Sequence, residues 1–284
     1  MKRMLIVWGV SLVILVPIPM ARGQDRARPK AGELTPLRST ESIARTPDSA
    51  PPRGVGLAAL QRAAAANKYL FLFFWKEKDR STASLWDVYQ SAMVRLSDRA
   101  DAVAIRVDDA AEKAVVDRFG AAGAPLPLVL AVAPNGAVTK GFPGAFDEAS
   151  LANAFVSPGT ARCLKALQDR KLVLVCIEHL APGANAVTVP QGVVAFRSDP
   201  GYAQVTEIVG INAADRNESS FLQGLGIDPR AARSTTALLV PPGTLIGKFE
   251  GTVTKKQLMA QLAVASSGAC AGGKCGPNGC GPRK

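Results

Sequence analysis

The sequence predicts an α/β protein made of two tandem domains, each a central mixed sheet flanked by helices. Three observations carry that expectation. Gly136, Phe142, Gly144 and Leu151 recur 107 residues later as Gly243, Phe249, Gly251 and Leu258. Gly56 to Trp75 aligns with Gly159 to Glu178 at an offset of 103, and in both stretches a helical segment ends in lysine (Lys68, Lys171) and runs straight into an apolar strand. A period of this length is too long for a solenoid unit and suits a small domain.

In the first domain, Leu57 to Asn67 is Ala-rich and helical. Tyr69 to Trp75 (YLFLFFW) is an apolar, aromatic run, the mark of a strand buried on both faces. Ser81 to Leu96 has helical spacing, with Leu85, Val88, Tyr89, Ala92, Met93 and Leu96 on one side and Ser81 or Thr82 as its expected cap. Ala102 to Val107 is a second strand, and Ala111 to Phe119 a helix closed by Gly120. Leu128 to Ala133 and Ala137 to Lys140 form a hairpin around Pro134-Asn135-Gly136, and Asp147 to Phe155 is the last helix.

The second domain repeats this order. Thr160 to Arg170 is a helix, Leu172 to Ile177 an apolar strand, and Gln191 to Phe196 part of a short helix. Val205 to Asn212 is a strand, and Glu218 to Leu225 a helix capped by Gly226. Ala237 to Val240 and Thr244 to Lys248 form a hairpin around Pro241-Pro242-Gly243, and Lys255 to Ala265 closes the domain.

This order resembles the thioredoxin fold. FLFFW resembles the strand that delivers a thioredoxin active site, and VDD before a helix ending RFG resembles the family's second strand and helix. Pro127, nine residues before Gly136, stands where the family places its cis-proline, and Gly144 matches the glycine after the hairpin. The resemblance implies tandem thioredoxin-like domains, a cis Leu126–Pro127 bond beside the loop at 78–82, and a concave surface for an extended peptide or protein partner. In the second domain Ser234-Thr235-Thr236 occupies the proline position.

The departure from the family concerns chemistry. A thioredoxin needs Cys-x-x-Cys at the N-terminus of the helix after the first long strand, where the helix dipole favours a thiolate and the second thiol resolves the mixed disulfide. Here the segment reads WKEKDRST from Trp75 to Thr82, with Asp79 and Thr82 aligned to the cysteine positions. The first domain has no cysteine, and the second has EHLAP after its first strand. Neither performs dithiol exchange at that position. Trp75, Asp79, Thr82 and Pro127 are therefore the candidate binding surface, with helix capping as the plain reading of Asp79 and core packing the plain reading of Trp75 and Trp86. No nucleophile elbow, phosphate loop or catalytic triad is present, so the reading leans away from an enzyme.

Cys163 and Cys176 lie on adjacent helix and strand, which leaves open a disulfide or two buried thiols. His179, the only histidine, follows Cys176 by three residues, but two ligands do not close a metal site.

The ends set the expected compartment. Basic Met1 to Arg3, apolar Leu5 to Val16 and the small residues around Ala21-Arg22-Gly23 predict a signal peptide over 1–23, cleaved before Gln24. The alternative is a retained anchor, although the apolar run is short against the roughly 20 residues that span a bilayer. The protein is thus expected to be exported, periplasmic or extracellular, and not integral to the membrane after cleavage. Loss of Lys2, Arg3 and Arg22 lowers the formal charge from +11 to +8, spread without a basic–aromatic run, which argues against a nucleic-acid partner. Residues 24–54 read as a Pro/Arg/Ser/Thr-rich linker before domains at 55–158 and 159–265. The tail, 266–284, sets Cys270, Cys275 and Cys280 in Gly and Pro. Three readings stay open for it: a soft-metal site for Cu(I) or Zn(II), a redox or crosslinking arm, and a pinned end without chemistry.

Overall fold

A computed structural model of the chain describes residues 54–180, 186–230 and 233–266. The signal and linker segments and the cysteines at 270, 275 and 280 lie outside the described residues. The order is α1 (Val55–Ala65), β1 (Tyr69–Trp75), α2 (Arg80–Arg95), β2 (Ala100–Arg106), α3 (Lys113–Phe119), β3 (Leu128–Val132), β4 (Val138–Pro143) and α4 (Glu148–Ala152). It then repeats as α5 (Pro158–Gln168), β5 (Leu172–Glu178), α6 (Gln191–Arg197), β6 (Thr206–Asn212), α7 (Ser219–Gly224), β7 (Thr235–Val240), β8 (Thr244–Glu250) and α8 (Lys255–Ser266).

Each half has one four-stranded mixed sheet, ordered β2-β1-β3-β4 and β6-β5-β7-β8. In each, the first two strands are parallel and the last two join antiparallel. The apolar runs are the central strands because both their faces are covered. Leu70, Leu72 and Phe74 point to a core completed by Ala59 and Ala63 of α1 and Val115 and Val116 of α3. Phe71 and Phe73 point to the opposite core, with Tyr89, Ala92 and Met93 of α2 and Leu151 of α4. In the second half Val173, Val175 and Ile177 face α5 and α7, while Leu174 and Cys176 face Val193, Phe196 and Leu258 of α6 and α8.

Turn positions repeat with the same backbone. Gly144 and Gly251 have φ of 72° and 70°, and Gly136 and Gly243 of 82° and 139°, a region that glycine enters without steric cost. One further device recurs that the sequence did not announce. Glu112 and Glu218 are buried, and each accepts a hydrogen bond from the N–H of a glycine in the first turn of its domain's first helix, Gly56 at 3.0 Å and Gly159 at 2.8 Å. A Cβ at Gly159 would sit 2.5 Å from the Glu218 carboxylate, so the close approach requires glycine. The carboxylates satisfy donors that a helix start leaves without intrahelical partners.

The two halves pack together within one compact unit. The β3–β4 turn of the first half meets α5 of the second through Ala133, Ala137 and Ala161, with Tyr69, Val156 and Leu164 around them. Asn135 donates to the Ala161 carbonyl (2.8 Å), and the Gln168 amide bonds both Val138 N–H (2.9 Å) and Val138 C=O (2.7 Å).

Several boundaries differ from expectation. The α2 helix starts at Arg80 and is capped by Asp79, in line with the plain reading of that residue, and not by the alternative caps Ser81 or Thr82. The helix expected over Asp147 to Phe155 is the short α4, capped by Asp147. The segment before α3 opens as a 3-10 turn over Ala110–Glu112.

Candidate functional site in the first domain

The C-terminal end of β1 brings the four candidate residues to one place. Trp75 ends the strand half-buried, and the 76–79 loop leaves from it into α2. Register places Leu128 opposite Phe74, so Pro127 lies next to Trp75 at that same end. Pro127 is buried, follows a cis peptide bond from Leu126, and its carbonyl accepts from Gly144 N–H at 2.8 Å. In the second half the Ser234 carbonyl accepts from Gly251 N–H at 2.7 Å, which makes Ser234 the positional equivalent of Pro127. Two parallel strands, an antiparallel hairpin beside them and helices on both faces complete each pattern. Each half is a thioredoxin-like domain.

No protein-family model and no curated protein matches the sequence. Among solved structures, Deadhead, the germline-specific thioredoxin of Drosophila melanogaster, is 22% identical over 37% of this chain and 93% of its own, with a TM-score of 0.30. The first two thioredoxin domains of Naumovozyma dairenensis Eps1p cover 80% of this chain and 100% of theirs at 12% identity and a TM-score of 0.28. The zinc-bound form of human ERp44 covers 77% of this chain and 59% of its own at 10% identity and a TM-score of 0.32. These are likenesses of fold; the strand order and register above are what define the thioredoxin-like domains here.

Where a thioredoxin carries its first cysteine, Asp79 Oδ1 accepts the backbone N–H of Thr82 at 2.7 Å. That bond, aided by the Thr82 hydroxyl, holds the exposed Asp79 carboxyl below the usual carboxylate range. A helix N-terminus that would favour a thiolate instead holds an ordinary capping carboxylate. Beside it, the Trp75 ring is approached by Lys78 Nζ at 5.4 Å and the Arg106 guanidinium at 5.9 Å. Arg106 is braced by Asp108, Nε to Oδ1 at 2.6 Å and a second nitrogen to Oδ2 at 2.7 Å, and this pairing holds the Asp108 carboxyl down. The outcome is an aromatic surface with two cations at its rim. Next to it, neither main-chain group of the half-buried Leu126 bonds to a described residue. Trp86, half-buried like Trp75 and packed on the same core, is edge-on to Phe73 at 5.1 Å and stacked on Tyr89 at 5.3 Å.

The equivalent end of the second domain is tied down. Glu178 Oε2 accepts from Thr188 N–H (2.8 Å), and Asn212 Oδ1 accepts from Leu180 N–H (3.1 Å) and Ala214 N–H (3.0 Å). His179 Nδ1 donates to the Pro229 carbonyl at 3.0 Å.

The disulfide considered between Cys163 and Cys176 does not form. Both thiols are free and buried, and they belong to cores on opposite faces of the second sheet. Strand parity is the reason: Val175 and Ile177 face α5, so Cys176 between them must face away from it. Burial pushes the Cys163 thiol up to about 12 and that of Cys176 to about 11. Cys176 and His179 do not converge either, one in the core and the other exposed. Among the described residues no group of three His, Cys, Asp or Glu side chains stands where it could hold a metal. Among them, too, no helix is long and apolar enough to cross a membrane.

Proposed function

We propose that the protein is an exported, non-enzymatic binding or scaffold module whose first thioredoxin-like domain takes an extended peptide or protein segment at the Trp75–Pro127 end of its sheet. The observation that carries this reading is the Asp79 cap standing where the reactive thiol would be, beside the half-buried Trp75 with Lys78 and Arg106 at its rim. Leu126 supplies main-chain groups without partners among the described residues, the kind that an added strand uses. Trp75 supplies a rigid apolar face, and Lys78 and Arg106 favour acidic residues near it. Export follows from the N-terminal signal pattern alone.

The rival reading, a thiol oxidoreductase or a Cu(I)/Zn(II)-handling protein acting through the tail, has one observation in its favour. The two thiols among the described residues are buried and held protonated, so such chemistry falls to Cys270, Cys275 and Cys280. Insulin reduction with dithiothreitol separates the readings, run on the full-length protein and on a Cys270/Cys275/Cys280→Ser variant. The binding reading expects no catalysis from either protein. Catalysis lost with the three thiols would transfer the function to the tail.

A further inference from the structure

Among the described residues no strand pairs with the outer edge of β2 in the first sheet; its last residue, Arg106, borders the Trp75 surface, and its N-terminal half lies away from it. Tyr69 N–H bonds Arg99 C=O and Val107 N–H bonds Trp75 C=O, both at 3.0 Å. These two bonds set the phase of the parallel ladder: residues 99, 101, 103, 105 and 107 use their groups inward, while 100, 102, 104 and 106 point theirs outward. Ala100 N–H is taken by Leu96 C=O (2.9 Å) and Arg106 C=O by Asp109 N–H (3.2 Å). The N–H and C=O of Ala102 and of Ala104 are left without a partner among the described residues. Free edges of this kind template another strand unless they are guarded by lysine, proline or a bulge. The middle of β2 has none of these, only small side chains.

Two more observations define what the edge would take. A cavity of about 460 Å³ lies at its N-terminal half, reaching from Ala59 and Arg62 of α1 to Met93 of α2 and lined also by Ala100 and Ala102. α1 on one face and α2 on the other thus flank a cavity at the Ala100–Ala102 end of the edge. Lys68 at its rim is neutralised by Asp101 (3.4 Å), whereas the Arg62 side chain makes no ion pair or hydrogen bond with any described residue.

We propose that this edge binds an extended segment of a partner polypeptide, paired to Ala102 and Ala104 and carrying a carboxylate that meets Arg62. A second copy of this chain fits less well, because an edge-to-edge dimer would bring another β2 edge with its own uncompensated Arg62.

The test is selection of a random heptapeptide library on the full-length protein, followed by affinity measurement of the enriched peptides and amide exchange in their presence. The expected peptides are rich in β-formers with Asp or Glu, and they slow exchange at Ala102 and Ala104. Their binding falls about five- to tenfold in Ala102→Pro, which removes one outward donor and leaves the inward ladder intact. It falls also in Arg62→Glu, an exposed change that keeps the backbone and so guards against a misfolded proline variant. Trp75→Ala leaves it unchanged. No enrichment, binding that survives both edge variants, binding lost only with Trp75, or a dimer protected at Ala102 and Ala104 would each overturn the proposal.

Discussion

Glu218 should contribute to stability through one glycine, and a double-mutant cycle can show it. Glu218 is 5% exposed, and its carboxylate accepts from Gly159 N–H at 2.8 Å and from the Ser157 hydroxyl. In Glu218→Ala the Ser157 hydroxyl keeps its contact with Thr160 (2.7 Å), but the Gly159 N–H is left buried without an acceptor. A hydrogen bond to a charged group contributes roughly 1.5–3 kcal/mol, so a loss of about 2–3 kcal/mol is expected. Gly159→Ala should cost about 1–3 kcal/mol by overpacking, because the new Cβ lies 2.5 Å from a carboxylate oxygen that the Gly159 N–H and Ser157 hydroxyl bonds hold in place. Once Glu218 is gone that clash is gone too, so the double variant should be less destabilised than the sum by about 1–3 kcal/mol. Urea unfolding followed by far-UV circular dichroism is the assay, since Trp8, Trp75 and Trp86 all lie outside the second domain. Additivity within roughly 0.5 kcal/mol would refute the reasoning.

Asp79→Ala should destabilise α2 and Asp79→Ser should restore most of the loss. Because the Asp79 carboxyl is held low in the folded protein, its stabilisation is present above about pH 4 and lost as pH falls through the depressed value, which acid titration of the two variants against the parent checks. Cys163 and Cys176 should resist iodoacetamide at pH 8 in the folded protein and react fully once it is unfolded, as mass spectrometry would show. Their raised pKa values make stability fall as pH climbs from about 8.5, the unfolded value, towards about 11 and 12. Gln168→Ala should speed amide exchange at Val138 about three- to tenfold by removing the acceptor that joins the domains, and unchanged exchange would show that the contact does not hold them.

The parts of this molecule that were legible in sequence are those where local pattern and environment coincide. YLFLFFW reads as a central strand because helices cover both its faces, leaving no position for a polar residue. Gly136, Gly144, Gly243 and Gly251 mark turns because their φ values demand glycine. The start of α2 was displaced because Asp79, Ser81 and Thr82 are all good caps; capping was already the plain reading of Asp79, and the geometry removes the other two. Glu112 and Glu218 were invisible because a glutamate at a helix start normally points to water; the signal was their recurrence together with that of Gly56 and Gly159. Cys163 and Cys176 appeared as neighbours in the chain, while strand parity places a sheet between them. At the candidate site, the absence of Cys-x-x-Cys was plain from the residues, but the Arg106–Asp108 brace beside Trp75 needed the parallel register of β1 and β2.

The central claim is that the first domain binds extended polypeptide without thiol chemistry. Its most direct test is NMR mapping of the full-length protein titrated with reduced, carboxymethylated α-lactalbumin, an unfolded chain with no free thiol. The account predicts perturbations concentrated at Trp75, Lys78, Arg106 and Leu126, unchanged by dithiothreitol or by Cys270/Cys275/Cys280→Ser, and weakened about tenfold or more by Trp75→Ala. Perturbations confined to the tail, or binding that disappears with its cysteines, would contradict it.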